Sequence, residues 1–131
     1  MDLSNLPILD MLRRRMEWLT ERQSVLSDNI ANADTPEFTA RDLSAPNFDT
    51  MLAQATQMRV TNVNHLVGTN TSATGASIID APDSEASPNG NSVVLEDQMI
   101  KVSDTQFDYA AAVNLYKKAL GLIRMAVSGQ H

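Results

Sequence analysis

The chain has 131 residues, enough for one domain with a modest core. Its net charge of −6, with no strongly basic segment, argues against a nucleic-acid surface that neutralises phosphates. It has no cysteine, which excludes disulfides, thiolate metal sites and cysteine nucleophiles, and its two histidines, His65 and His131, have no partner histidine at ligand spacing.

Hydrophobic residues make up 43% of the chain but aromatics only 5%, so packing falls to Leu, Ile, Val, Met and Ala, as in helix seams. The start, MDLSNLPILDML, has an acid where a secretory leader has basic residues, and Asp10 breaks its apolar run. No cleaved leader is expected, and no stretch approaches the ~20 apolar residues of a membrane span.

Ser4 and Asn5 suit a helix N-cap, and Pro7 suits the first turn, where a missing N–H is no loss. Leu9, Leu12, Met16, Leu19, Gln23, Leu26, Ile30 and Ala33 then step alternately by three and four, an a/d seam with one polar member. A helix over residues 6–32 would be ~40 Å long at 1.5 Å per residue. Arg13, Arg14 and Arg15 read as a solvated face, with Arg14 pairing to Asp10 and Arg13 to Glu17 at i,i+4 spacing. Trp18, the one tryptophan, sits beside the seam and reads as a packing residue. Asn29 and Asn32 tolerate capping geometry and Pro36 expels Thr35 from the α region, so the helix should end between Ala31 and Asp34.

Asn29, Ile30, Ala31, Asn32, Ala33, Asp34, Thr35 and Pro36, followed by Phe38 and by Ala40, Arg41 and Asp42, resemble the N-terminal signature of bacterial flagellar rod and hook proteins. The Thr-Pro-x-aromatic-x-Ala-Arg-Asp continuation is most similar to the proximal rod protein family, FlgB. That family usually has Gly after the Pro. Glu37 stands there in this chain, which predicts a type I turn in place of a type II turn with its positive φ.

The middle is polar. Residues 47–57 read as a short helix or strand, residues 58–67 as a short extended segment, and Ile78-Ile79 as a brief strand. The Gly, Ser, Thr and Asn of residues 68–77, and the Pro, Ser, Asp and Asn of residues 80–91, read as loop. Scattered Ser, Thr and Asp have no His or Lys at useful spacing, so no nucleophile–base pair can be assembled and no enzymatic activity is expected.

From Leu95 the seam returns: Leu95, Met99, Val102, Gln106, Tyr109, Val113, Tyr116, Leu120, Ile123 and Val127 keep one register over more than four heptads. Gly121 weakens this helix by ~1 kcal/mol relative to Ala, and Gly129 is a natural stop. Tyr109 and Tyr116 lie on the apolar stripe and read as packing residues rather than a base-stacking platform. Asn89-Gly90-Asn91-Ser92-Val93 resembles the Gly-Asn-x-Val lead-in to the last helix of the same family. Val94 stands where the family often has an Asp cap, so Asn91 or Ser92 is expected to cap. Gln98, where an acid is common, still permits a capping box.

The expected fold is mainly α. Two long terminal helices form an antiparallel, coiled-coil-like pair around an irregular middle of short strand or helix segments. The expected division is residues 1–34 as an N-terminal core helix, 35–89 as the middle, and 90–131 as a C-terminal core helix packing on the first. Such a thin chain should be marginal alone and stabilised by copies packed alongside, and an open heterologous contact generates a helical filament.

The resemblance implies a structural subunit of the flagellar basal-body rod. Such a subunit would be exported through the flagellar type III apparatus without a cleaved leader and assembled across the periplasm. It would polymerise through its terminal helices into the drive shaft that transmits torque and forms the export channel. The partners it implies are other copies of the chain, other rod proteins, the adaptor protein FliE, and components of the membrane ring and export gate. It implies no nucleic acid, small-molecule substrate or cofactor. A soluble helical adaptor or export chaperone, binding a partner helix in the groove between its own helices, is the alternative.

Overall fold

The computed structural model describes residues 6–46 and 76–129. The expectations for residues 47–57 and 58–67, and the loop reading of residues 68–75, lie outside the described residues, as do the N-cap candidates Ser4 and Asn5. The first helix, α1, runs Pro7–Ala31 with Leu6 at the N-cap position and Pro7 opening the first turn. Its end falls inside the predicted window. Asn32 donates its N–H to Asp28 O and Asn29 O, and its Nδ2 to Asp28 O at 2.8 Å, satisfying carbonyls the helix would leave bare. Two three-residue strands follow, β1 (Arg41–Leu43) and β2 (Ile78–Asp80). They pair antiparallel, Arg41 opposite Asp80 and Leu43 opposite Ile78. The last helix, α2, runs Leu95–Ser128. The structure is thus mainly helical, with two long helices and a small two-stranded ribbon, as the sequence predicts.

Helix α1 presents two stripes. One is the predicted seam: Leu9, Leu12, Leu19 and Leu26 are buried, and Met16, Gln23 and Ile30 half-buried. It faces α2, where Trp18, Leu19 and Ala112 join Leu43 in one buried apolar cluster. The other stripe is Trp18, Arg22, Val25 and Asn29, which step by four, three and four and so lie on one face. It faces β1. Arg14 pairs with Asp10 as expected, at 2.9 Å. Arg13 does not pair primarily with Glu17. Its largest electrostatic partner is Tyr116, across the helix pair, which holds its guanidinium above the ordinary arginine range.

Helix α2 departs from its predicted contact line. The positions it buries are Gln98, Thr105 and Ala112, one heptad apart and one residue before Met99, Gln106 and Val113. Of the apolar seam, Val102, Val113, Tyr116, Leu120 and Ile123 are half-buried, while Leu95, Met99, Gln106, Tyr109 and Val127 are exposed. The physical reason is size and polarity. Ala112 and Thr105 are small enough to let α1 come close, and Gln98 is drawn inward by hydrogen bonds that a Met cannot make. A single partner helix covers only one edge of the apolar stripe.

Candidate assembly junction

The chain leaves α1 and returns to α2 through a continuous hydrogen-bonded junction. In an antiparallel pair, alternate residues bond to the partner strand. Ala81 N–H donates to Ala40 O and Ser44 N–H to Ser77 O, both at 2.9 Å, so the backbone groups of Arg41 point to the other edge of β1. There Asn29 serves as a substitute strand. Its Oδ1 accepts Arg41 N–H at 3.0 Å and its Nδ2 donates to Arg41 O at 2.6 Å. The same edge is closed further along by Leu43 N–H donating to Asp42 Oδ1 at 2.7 Å and by Trp18 Nε1 donating to Ser44 O at 2.9 Å. Arg22 holds Asp42 through two 2.9 Å bonds, Nε to Oδ1 and Nη2 to Oδ2, with its guanidinium 5.6 Å from the Trp18 ring centroid. Trp18 and Asn29 of the second stripe supply the side-chain bonds that cover the unpaired edge of the strand.

Asn29 also reaches the last helix. It is fully buried, and its Nδ2 donates to Gln98 Oε1 at 2.9 Å, while Gln98 Nε2 donates to Asp83 Oδ2 at 2.8 Å. Asp83 Oδ2 also accepts Val94 N–H at 2.9 Å, and Lys101 Nζ lies 2.8 Å from Asp83 Oδ1. This corrects the expected cap. Val94 is the N-cap residue and makes no side-chain cap bond, and the acceptor comes from Asp83 in the preceding loop. Gln98 relays outward from that carboxylate and does not close a capping box. Burial pushes the Asp83 carboxyl up, but the bonds from Lys101, Gln98 and Val94 outweigh it and hold it below the ordinary value. Asp42 is governed the same way: burial raises it, and the bonds from Arg22 and Leu43 N–H win and lower it.

Two further asparagine and serine contacts fasten the exit loop. Asn91 Nδ2 donates to Asn32 O at 2.9 Å and to Thr35 O at 2.7 Å. Ser92 Oγ accepts the N–H of fully buried Ala40 at 3.0 Å, and Ser92 N–H donates to Phe38 O at 3.0 Å. Neither residue caps α2; both hold the first loop to the second. Arg41 rests 5.6 Å over the Phe38 ring.

The turn at Glu37 overturns the type I expectation. Glu37 has φ +59°, and Phe38 N–H bonds to Thr35 O. Pro36 in second place and a positive φ in third are the arrangement of a type II turn. The neighbouring loop holds it there: Glu37 N–H donates to Asn89 O at 3.0 Å, and Gly90, itself at φ +79°, lies alongside, where a Cβ would sit in van der Waals contact with Glu37 Cα at 3.4 Å. Glu37→Gly should therefore shift stability by less than about 0.5 kcal/mol, since relief of left-handed strain offsets added chain entropy. Gly90→Ala should cost about 1 kcal/mol. Urea midpoints of the two variants check the contrast.

The structure brings most of the predicted motif together at this junction. Asn29 and Ala40 are buried, Ile30, Asn32, Phe38, Arg41 and Asp42 half-buried, and Ala31, Thr35 and Pro36 exposed. Sequence reasoning missed Arg22, Asp83 and Lys101. The 18–22–25–29 spacing could have found Arg22. Asp83 sits in a loop with no local signal, and its partners lie 11 to 18 residues away.

The sequence model described as Flagella basal body rod protein matches residues 9–39, which covers α1 from its third residue and the exit turn. The chain is 35% identical to the flagellar basal body rod protein FlgB of Agrobacterium fabrum over 92% of both chains. It is 26% identical to FlgB of Bacillus subtilis over 82% of this chain and 83% of that one. FlgB of Cereibacter sphaeroides is 28% identical, over 83% and 84% respectively.

Proposed function

The chain belongs to the FlgB family of flagellar basal body rod proteins, and from that premise we propose that it polymerises through its paired terminal helices into the drive shaft of the rod. It has a structural role there and no catalytic one. It crosses the periplasm as part of the assembled rod. Its contacts are with its own copies, with other rod proteins, and with FliE and the ring and gate components at the base. The shaft carries torque and encloses the export path. The core proposed comprises residues 1–34 and 90–131, with residues 35–89 as the middle between them.

The observation that carries this reading is the outer face of α2. Phe107 is 77% exposed, and Ile100, Leu115, Leu122 and Met125 are each more than half exposed. Ile100, Phe107 and Met125 fall on the side of α2 away from Thr105 and Ala112, which face α1, and Leu115 and Leu122 on its flank. A helix apolar on both sides is one that packs on both sides. Two smaller features agree. A Cβ at Gly121 would meet nothing within 4 Å, so the chain's own packing does not demand glycine there. Gln23 Oε1 is buried without a partner among the described residues. It borders a groove of about 320 Å³ between Leu19, Thr20 and Thr105, Gln106, Tyr109, where a neighbour's donor would fit.

Phe107→Asp and Leu122→Asp test the reading, because both positions are exposed and neither supports the fold. Far-UV circular dichroism of the purified chain should be unchanged, while cells carrying either variant lose motility and yield basal bodies lacking the rod. Full motility in both would overturn the packing role of this face.

A further inference from the structure

Of the ten asparagines in the chain, Asn89 alone is followed by glycine. That pair can react with itself. Once the backbone nitrogen of Gly90 gives its proton to solvent base, it can attack Cγ of the Asn89 side chain, because glycine has no Cβ to obstruct the approach. A bond forms from Gly90 N to Cγ, the Cγ–Nδ2 bond breaks, and the nitrogen leaves as ammonia after taking up a proton. Water then opens the cyclic imide at either carbonyl. Breaking the new bond leaves an aspartyl residue on an unchanged backbone. Breaking the original peptide bond to Gly90 leaves an isoaspartyl linkage, in which the chain runs through the side chain and is one atom longer.

The folded junction does not bury this pair, since Asn89 and Gly90 are both exposed. It restrains them by conformation. Residues 87–90 form a turn closed by Gly90 N–H donating to Ser87 O at 2.9 Å, with Pro88 in second place and no positive φ at Asn89. That is a type I turn, in which the third residue has ψ of about 0°. Such a ψ sets the backbone nitrogen of Asn89 beside that of Gly90 and turns Cβ away, whereas the imide ring needs Cβ in that place. The proton that must leave is held by Ser87 O, and the carboxamide is tied forward, its Oδ1 accepting Asn91 N–H at 3.1 Å. The turn does not open alone. Asn89 O accepts Glu37 N–H at 3.0 Å, Ser87 N–H donates to Asn91 O at 2.8 Å, and Asn91 Nδ2 is bonded to Asn32 O and Thr35 O. Opening it separates the two loops of the junction.

We propose that Asn89-Gly90 is a site of spontaneous deamidation, that closure of the junction protects it, and that its isoaspartyl product prevents the junction from closing. The extra backbone atom falls between Ser87 and Asn91, whose N–H and O are bonded to each other, and inside the turn that Gly90 N–H closes on Ser87 O. Neither bond fits the lengthened chain. The carbonyl that accepted Glu37 N–H becomes a carboxylate standing off the main chain, and Gly90 is displaced from its place beside Glu37. The aspartyl product does no such harm, because its backbone is intact and its carboxylate still accepts Asn91 N–H. Reaction and fold thus exclude each other. A chain that closes promptly keeps its amide, and a chain held open loses the ability to close.

The test uses the full-length purified chain, incubated at mildly alkaline pH in buffer and in urea, with peptide mapping by mass spectrometry and enzymatic methylation of isoaspartyl groups as readouts. In urea, conversion should concentrate at Asn89. In buffer it should run about tenfold slower or less, since it then waits on opening of the junction. Pro88→Ala, which loosens the turn, should raise the rate in buffer and leave that in urea nearly unchanged. Asn89→Gln, whose longer side chain closes a ring poorly, should abolish conversion in urea. After removal of urea, the isoaspartyl fraction should lose hydrogen-exchange protection at the Ala40 and Ser92 amides, which bond across the junction. Asn89→Asp should keep that protection. Equal rates in buffer and urea overturn the proposal, as does conversion in urea spread evenly over the asparagines. So does an isoaspartyl fraction that refolds with wild-type protection at Ala40 and Ser92.

Discussion

Asn29→Asp is expected to remove roughly 3 kcal/mol of stability and to abolish motility, although it changes the side chain by a single group. The wild-type amide sits in a directed relay. Asp83 Oδ2 only accepts, so Gln98 must turn Nε2 towards it and Oε1 towards Asn29. Asn29 must then donate to Gln98 Oε1, which leaves its Oδ1 for Arg41 N–H. A carboxylate at position 29 keeps the bond to Arg41 N–H but turns acceptors against Arg41 O and Gln98 Oε1. Rotating the Gln98 amide does not help, because it moves the same conflict to Asp83. Two buried acceptors lose their donor, each at about 1–3 kcal/mol. Domains of this size carry only about 5–15 kcal/mol in total, so the loss is a large share. Hydrogen exchange at the Arg41 amide and the urea midpoint measure it. A midpoint within a few tenths molar of wild type would refute the relay.

The relay also explains what could and could not be read from the residues alone. The seam of α1 was legible because Leu9, Leu12, Leu19 and Leu26 repeat with helical spacing and the structure buries them all. The strand at Ile78 was legible from two β-branched residues bounded by polar loop. The contact line of α2 was not, because periodicity counts apolar side chains. The residues that face α1 are Gln98, Thr105 and Ala112, chosen for small size and hydrogen bonding. The apolar stripe beside them stays partly uncovered by α1, with Leu95, Met99, Tyr109 and Val127 exposed. The Glu37 turn misled for a different reason. Local preference disfavours a positive φ at Glu, and a loop 50 residues away in sequence, at Asn89 and Gly90, imposes it. Local rules describe a residue's own backbone, and this junction is built from two distant loops.

Asp83→Asn is expected to cost about 2–4 kcal/mol at neutral pH and to flatten the acid limb of the stability curve. The side chain is only 3% exposed and receives Lys101 Nζ, Gln98 Nε2 and Val94 N–H together. An amide can offer one oxygen to those donors, and its NH₂ must face one of them. Bonds to charged groups are worth about 1.5–3 kcal/mol each, and the substitution also takes its ion-pair partner from half-buried Lys101.

The pH dependence follows from the direction of the shift. The folded Asp83 carboxyl titrates below its ordinary value of 3.8. Its contribution is therefore complete above about pH 5, begins to fall as the unfolded chain takes up protons, and is gone once pH drops below the depressed native value. Asp42 is depressed too and acts in the same window. Wild type should thus lose stability steadily from about pH 5 downward. Asp83→Asn should show a shallower decline, since only Asp42 of the pair remains to titrate. Urea midpoints at pH 7 and pH 3 for both proteins decide the matter. Parallel acid limbs would mean that Asp83 is not the group whose protonation opens the start of α2.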